Sequence, residues 1–362
     1  MNPFSYSSYI FNGNNLLRNI NFLKSKLNKG VEFCAVVKAD AYGVGLEKVA
    51  GFIKNDVDLF AVANLEEAIR LRKSGILNKI LVLGCSDFNY ICEFQKYKIT
   101  PTVNSNFDLN KLSRMIKTPI EVEFGLNSGM NRFGFSKKTE ILRAIALLKN
   151  NPKIRLCGVY SHLATKEDDA QFIQVQKNKF NTLCDLINIK GVKKHLSNSN
   201  GILHHPEVNY DRVRCGFALY GMDGESDNLL PVVGIESKIV FINEVKRGET
   251  IGYDRTFISP RKTRYAVIPL GYYDGINRRV SNKGRVLING CYAPIIGRVC
   301  MDVMMVDITN IKEASVGTKV TIIGTDGNKS VTIKDYAKWS GTSCYETFLR
   351  FNRLRMREVN IY

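Results

Sequence analysis

The chain has 362 residues, 44% hydrophobic and 24% charged, with 9 Pro and 28 Gly, a profile that excludes disorder and collagen and suits one large domain plus a smaller one. Its 52 Lys and Arg against 34 Asp and Glu give a net charge of +18, a field that raises the question of nucleic acid or an acidic ligand. No RNP-like aromatic motif, zinc finger or basic helix accompanies that charge, and Lys24, Lys26, Lys48, Lys54, Lys73, Lys96, Lys137 and Lys177 read as solvated outer helix faces, so no nucleic-acid partner is expected. No apolar run reaches the roughly 18 residues of a membrane span, and the start MNPFSYSSYIFNGNN has neither a basic nor an apolar leader region, so a cytoplasmic protein with no membrane partner is expected. The nine cysteines are scattered and never form a CxxC pair, which suggests neither a disulfide framework nor a metal site.

Short apolar runs recur through the first part of the chain at 33–38, 58–63, 79–83, 99–103, 120–125, 155–161, 192–197 and 213–220. Helical spacing fills most of the gaps, as at 65–74, 107–116, 138–149 and 170–187. Eight buried strands alternating with helices make the α/β class, and their number closes a (β/α)8 TIM barrel. From about residue 231 the texture changes to short alternating segments (236–245, 265–269, 285–288, 292–296, 302–307, 319–323) between Gly, Asn and Asp turns, with 332–340 the one helical stretch. The expected organisation is a barrel over 10–230 and a mostly β C-terminal domain over 231–362, joined by residues 1–9.

In such a barrel the active site lies at the C-terminal strand ends. Lys38 ends the first strand in AVVKADAYGVG, emerging from Ala35, Val36 and Val37. Burial there disfavours the ammonium form and leaves the nucleophilic amine that a Schiff base requires, although a lone strand-end lysine is more often a surface residue. The fifth strand is followed by Gly129-Met130-Asn131-Arg132, the sixth ends in Ser161-His162, the seventh in Ser197-Asn198-Ser199, and the eighth carries Arg214 and Gly216. Loops after strands seven and eight commonly hold a phosphate in barrels, and Ser199 and Gly216 sit there. Each residue also has an ordinary reading: Ser199 a helix cap, Gly216 a packing glycine, His162 a hydrogen-bonded core histidine, Arg214 an ion-pair partner. Their convergence on one rim with a strand-end lysine points to pyridoxal 5'-phosphate.

At these residues the sequence resembles the alanine racemase family over nearly its whole length: AVVKADAYGVG, MNRFGF, SHLAT, SNSNG, VRCGFALYG, IGYDRTF, IPLGYYDGINRR and GRVCMDVMMVD match family motifs in order. The resemblance implies that Lys38 holds the cofactor as a Schiff base and serves as base on one face of the substrate carbon, with Tyr253 on the other. It further implies a homodimer in which Tyr253 reaches the partner's barrel. Tyr42, Asn198, Ser199, Gly216 and Phe217 map onto phosphate-contacting or neighbouring positions, and Arg214 faces the pyridine nitrogen. His162 lies toward Tyr253; Arg132 and the Met301 amide map to the substrate carboxylate, and Tyr272 and Arg278 to the access corridor.

Two segments depart from the family pattern. Where many members carry a lysine, often carbamylated, this chain has Gly125, and Asn127 replaces an acid; either another anion such as chloride or Glu123 then orients Arg132, or Arg132 has different freedom. Near the C-terminus, Arg353 stands where some members place a phosphate-contacting tyrosine. The expected activity is interconversion of L- and D-alanine by two bases, supplying D-alanine for peptidoglycan. The alternatives are a racemase of another amino acid such as serine, or a non-catalytic cofactor-binding protein.

Overall fold

The computed structural model describes residues 5–165, 169–222, 226–351 and 353–362. They form two compact units: residues 20–41 with 45–219, and a second that holds the described residues before 20, 42–44 and those from 220 onward.

Eight parallel strands make the first unit: Glu32–Val36, Leu59–Val62, Lys79–Val82, Thr102–Val103, Ile120–Gly125, Ile154–Tyr160, Lys193–His195 and Arg212–Cys215. Sequences such as LFAV at 59–62 are buried throughout because helices cover their outer side and neighbouring side chains fill the inside. Strands three and four join through the Leu81–Thr100 bridge, where the Val82 N–H donates to Thr100 O at 2.9 Å. Strands seven and eight close the ring through the Asp211 N–H to Lys194 O and the Arg214 N–H to Ser197 O, both 3.0 Å. The result is a (β/α)8 barrel.

Helix starts are fixed by short polar side chains that satisfy otherwise unpaired amides. Asn64 accepts from the Glu67 N–H, Ser105 from Asp108 and Asp169 from Phe172, which begins Leu65–Lys73, Asn106–Met115 and Ala170–Ile187 within a residue of the sequence expectation.

The second unit is built on a ten-stranded sheet. Ser8–Asn12 belongs to this sheet, antiparallel to Val233–Lys238 and parallel to Arg357–Ile361, so the start of the chain packs with its end. The expectation of one helix in this half is corrected: Cys344–Arg350 is a second, after Ile333–Ser340. Gly341 in the left-handed region (φ 66°) stops the first, and the Ser343 hydroxyl caps the next by accepting the Glu346 N–H at 3.1 Å. Seven residues are too few for a helical period to stand out in the sequence.

Candidate active site

Lys38 follows the first barrel strand and enters one turn of left-handed backbone. Ala39, Asp40, Ala41 and Tyr42 have φ of 55°, 54°, 53° and 57°, a conformation that costs non-glycine residues of order 1–2 kcal/mol each. Neighbouring groups of the barrel hold the turn. Glu67, from the second βα segment, accepts the Asp40 N–H at 3.0 Å and the Ala63 N–H at 2.9 Å, while the Asp40 carboxylate accepts the Leu46 N–H at 3.1 Å and Arg70 Nη2 at 2.8 Å. Asp40→Ala is expected to lower stability by about 1–2 kcal/mol, read from urea unfolding, and Asp40→Asn, which keeps an acceptor, by less.

Burial, reinforced by the positive charge of Arg132 and opposed by Glu67, lowers the Lys38 pKa. His162 is pushed down to about 3 by burial and by Arg214, Arg132 and Lys38, so its ring is neutral at pH 7. Lys38, Arg132 and Arg214 all act on His162 at the C-terminal strand ends, and these three cationic side chains suit an anionic ligand.

Arg214 is 3% exposed and heavily committed. Its Nη1 donates to His195 Nδ1 at 2.9 Å and to His195 O at 2.8 Å, and Nη2 donates to Ser161 O at 2.5 Å and Leu196 O at 3.2 Å. A guanidinium has five N–H donors, so these four bonds leave Nε–H. The Tyr160 ring covers the guanidinium at 5.1 Å, with its hydroxyl tied to Thr102 and the Gly84 N–H. Since Arg214 can only donate, His195 Nδ1 accepts and its Nε2–H donates to Glu123 Oε2 at 2.8 Å. His195 is therefore neutral, its pKa pushed down to about 4 by burial against the opposing charge of Glu123. Burial alone would raise the Glu123 carboxyl; Arg212, at 2.5 Å, and the hydrogen bond from His195 bring it down to about 2.

This chain corrects one expectation. Glu123 is bound to His195 and Arg212 inside the barrel and does not replace the missing carbamate. Asn104 fills the space beside Gly125: any Cβ at 125 would run into its Oδ1, while its Nδ2 donates to Gly84 O at 2.6 Å. Asn127 holds the loop that carries Arg132, accepting the Gly129 and Asn131 N–H groups at 3.1 and 3.0 Å.

Asn198, and not Ser199, caps Ser199–His204, by accepting the Gly201 N–H at 3.0 Å. Ser199 Oγ instead accepts the N–H groups of Gly216 (3.2 Å) and Ala218 (3.3 Å), clamping the loops after strands seven and eight together. Phe217 is buried.

The remaining expected residues lie in the second unit. Tyr42 packs on Tyr220 and Tyr345, with ring centroids 5.4 and 6.4 Å apart. The two signature segments carrying Tyr272 and Met301 are joined by the Tyr272 N–H to Cys300 O and the Tyr273 N–H to Met301 O, both 3.0 Å. Tyr253, Tyr272, Arg278 and Met301 line one cavity of about 670 Å³. Tyr253 is 65% exposed, on a turn anchored by the Asp254–Arg298 ion pair at 2.6 Å. Arg353 lies on the short turn Arg353–Arg355.

Sequence reasoning missed His195, Glu123's true role, Tyr160, Glu67 and Asn104. A histidine ending strand seven, opposite the buried charges of strands five and eight, was the available signal for the first.

The donor set fits pyridoxal 5'-phosphate: a desolvated amine, a cationic mouth, a hydroxyl clamped to two loop amides, and one remaining Arg214 N–H. Fold and site together define a (β/α)8-barrel enzyme organised around a strand-end lysine. The profile of the alanine racemase N-terminal domain matches residues 12–224, and that of its C-terminal domain matches 232–359. The chain belongs to the alanine racemase family. It is 35% identical over 356 residues to the alanine racemase of Clostridium kluyveri, covering 94% of this chain and 91% of that protein. The alanine racemase of E. faecalis superposes with a TM-score of 0.94 at 28% identity, covering 99% of both chains. That of Bartonella henselae with covalently bound pyridoxal phosphate gives 0.89 at 26%, covering 98% of this chain and 99% of that one. The histidine racemase of Leuconostoc mesenteroides gives 0.90 at 25%, covering 100% and 99%.

No helix among the described residues is long and apolar enough to cross a membrane.

Proposed function

We propose that this protein is a pyridoxal 5'-phosphate-dependent alanine racemase that uses Lys38 and Tyr253 as its two acid–base groups. It acts as a cytoplasmic homodimer and supplies D-alanine for peptidoglycan. The observation that carries this reading is the desolvated Lys38 amine among Arg132, neutral His162 and Arg214 on the barrel rim. The bound cofactor supplies an electron sink that acidifies the substrate Cα–H.

Lys38 would hold the cofactor until the substrate amine takes its place, and the freed Nζ, its pKa lowered, would then suit accepting a proton from Cα on one face and returning it. Tyr253 Oη does the same on the other face; its exposure in a single chain supports completion of the site by a second copy. Arg132 supplies positive charge for the substrate carboxylate. Arg214 offers Nε–H to the cofactor ring but stays protonated, so it cannot give that ring a proton. The sink is kept weak, and reprotonation must be fast, as two opposed bases provide. Ser199, whose own O–H is not used by the two amides it accepts, serves the cofactor phosphate with Asn198, Gly216, Phe217 and Tyr42.

Chiral chromatography after incubating the holoenzyme with L-alanine, L-serine and L-histidine tests the assignment. D-alanine as the main product is expected. A different main D-product would favour a second reading, a racemase of another amino acid, which the Gly125–Asn104 arrangement and the likeness to a histidine racemase support. Tyr253→Phe is expected to slow racemisation about 10²–10⁴-fold while solvent deuterium still enters Cα of one enantiomer only, seen by NMR. Equal loss of exchange from both enantiomers would count against a two-face division of labour.

A further inference from the structure

The barrel has a second mouth, at the strand starts, away from Lys38. A cavity of about 800 Å³ opens there. Its apolar walls are Leu142, Ile145 and Leu148 of helix Lys138–Asn150 and Leu186 and Ile187 at the end of helix Ala170–Ile187. Its carboxylates are all engaged: Glu121 by Arg155, Glu32 by Arg212 at 2.9 Å, Glu123 by Arg212 and His195. Lys79, Lys149 and Lys190 line the same cavity, and among the described residues no hydrogen bond or ion pair engages their ammonium groups. Apolar walls with an uncompensated cationic rim complement a molecule that carries one carboxylate on an apolar body.

We propose that this cavity binds an amphipathic monocarboxylate, with its head at the lysines and its body between the two helices, and that occupancy is transmitted to Arg214. The floor is the start of a continuous chain: Glu32 to Arg212, Arg212 to Glu123, Glu123 to His195, His195 to Arg214. An apolar body over the half-exposed Glu32 excludes water, strengthens its hold on Arg212 and loosens Arg212 from Glu123. His195 Nε2–H and then the Nδ1 contact to Arg214 respond. Binding stands apart from the proposed activity; the coupling rests on that reading because the lysine-bound cofactor is its reporter.

Decanoate titrated into the holoenzyme by calorimetry is the test, with decanol and decylammonium as controls and the exposed pair Lys149→Glu/Lys190→Glu as the variant. Saturable binding of decanoate, at least about tenfold weaker in the variant and for both controls, is expected, together with a shift of the cofactor absorption band at saturation. No saturable binding, equal affinity for decylammonium, or an unaltered variant overturns the site. Binding without a band shift overturns the coupling. Absence of any cofactor band before decanoate is added marks failure of the cofactor assignment, while the calorimetric result still decides the site.

Discussion

Lys38→Ala is expected to lower racemisation by about ten-thousand-fold, at the upper end for loss of a positioned acid–base group, because it also removes the covalent anchor of the cofactor. The fold should survive. Lys38 is a partly buried cation beside Arg132, and its lowered pKa means that folding disfavours its charged form. Removing it should leave the unfolding midpoint unchanged or slightly higher. Ser199 and Arg214 still hold their hydrogen bonds, so the variant should retain cofactor without the absorption of the lysine-bound form. Lys38→Arg separates charge from chemistry: a guanidinium keeps the positive charge but cannot give up its proton, so it should be as inactive as alanine. Steady-state rates, the absorption spectrum and urea midpoints of the three proteins check this. A Lys38→Ala protein retaining more than about a tenth of the activity would remove Lys38 from the chemistry.

The parts of this protein legible in its sequence are those where one residue type answers one local demand. Strands such as LFAV at 59–62 could be read because both their faces are buried, and the helices because Asn64, Ser105 and Asp169 stand where unpaired amides need an acceptor. Lys38 could be read because a lysine that ends a run of small apolar residues stands out. The left-handed turn after it could not, since two alanines, an aspartate and a tyrosine adopt it only while Glu67 grips the Asp40 amide from the next βα segment. Gly125 was noticeable in the sequence as a departure; that Asn104 occupies the space beside it depends on a neighbouring strand. His195 was silent for the same reason. In KKHLSNSN it looks like the edge of a strand, and only the closed ring places it between Glu123 and Arg214.

Glu123→Gln is expected to cost about 3–5 kcal/mol of stability, the range for stranding one partner of a buried ion pair. Both carboxylate oxygens are used, Oε1 by Arg212 and Oε2 by the His195 Nε2–H, and the residue is 2% exposed. An amide offers one acceptor and one donor, so whichever way it turns, an N–H faces another N–H. Arg212 keeps Glu32, while the loss reaches Arg214 through His195. That network and the buried His162 set the response to acid. His162 and His195 have folded pKa values of about 3 and 4, below the ordinary value of about 6.5. As pH falls from there, the unfolded chain takes up protons that the folded one does not, and stability declines. Glu123 is depressed to about 2, so its contribution is full above the ordinary carboxylate range and fades as pH falls through that range toward 2. Urea unfolding of the wild type from pH 8 to pH 4 should therefore show stability rising with pH. Glu123→Gln should lie below it, by the least at the acid end, where the wild type has begun to lose its own carboxylate contribution. The double variant Glu123→Leu/Arg212→Met removes both charges together and should recover much of the loss, because two apolar groups strand no partner at this position. A double variant as unstable as Glu123→Gln would mean that His195 and Arg214, and not the pairing with Arg212, depend most on this carboxylate.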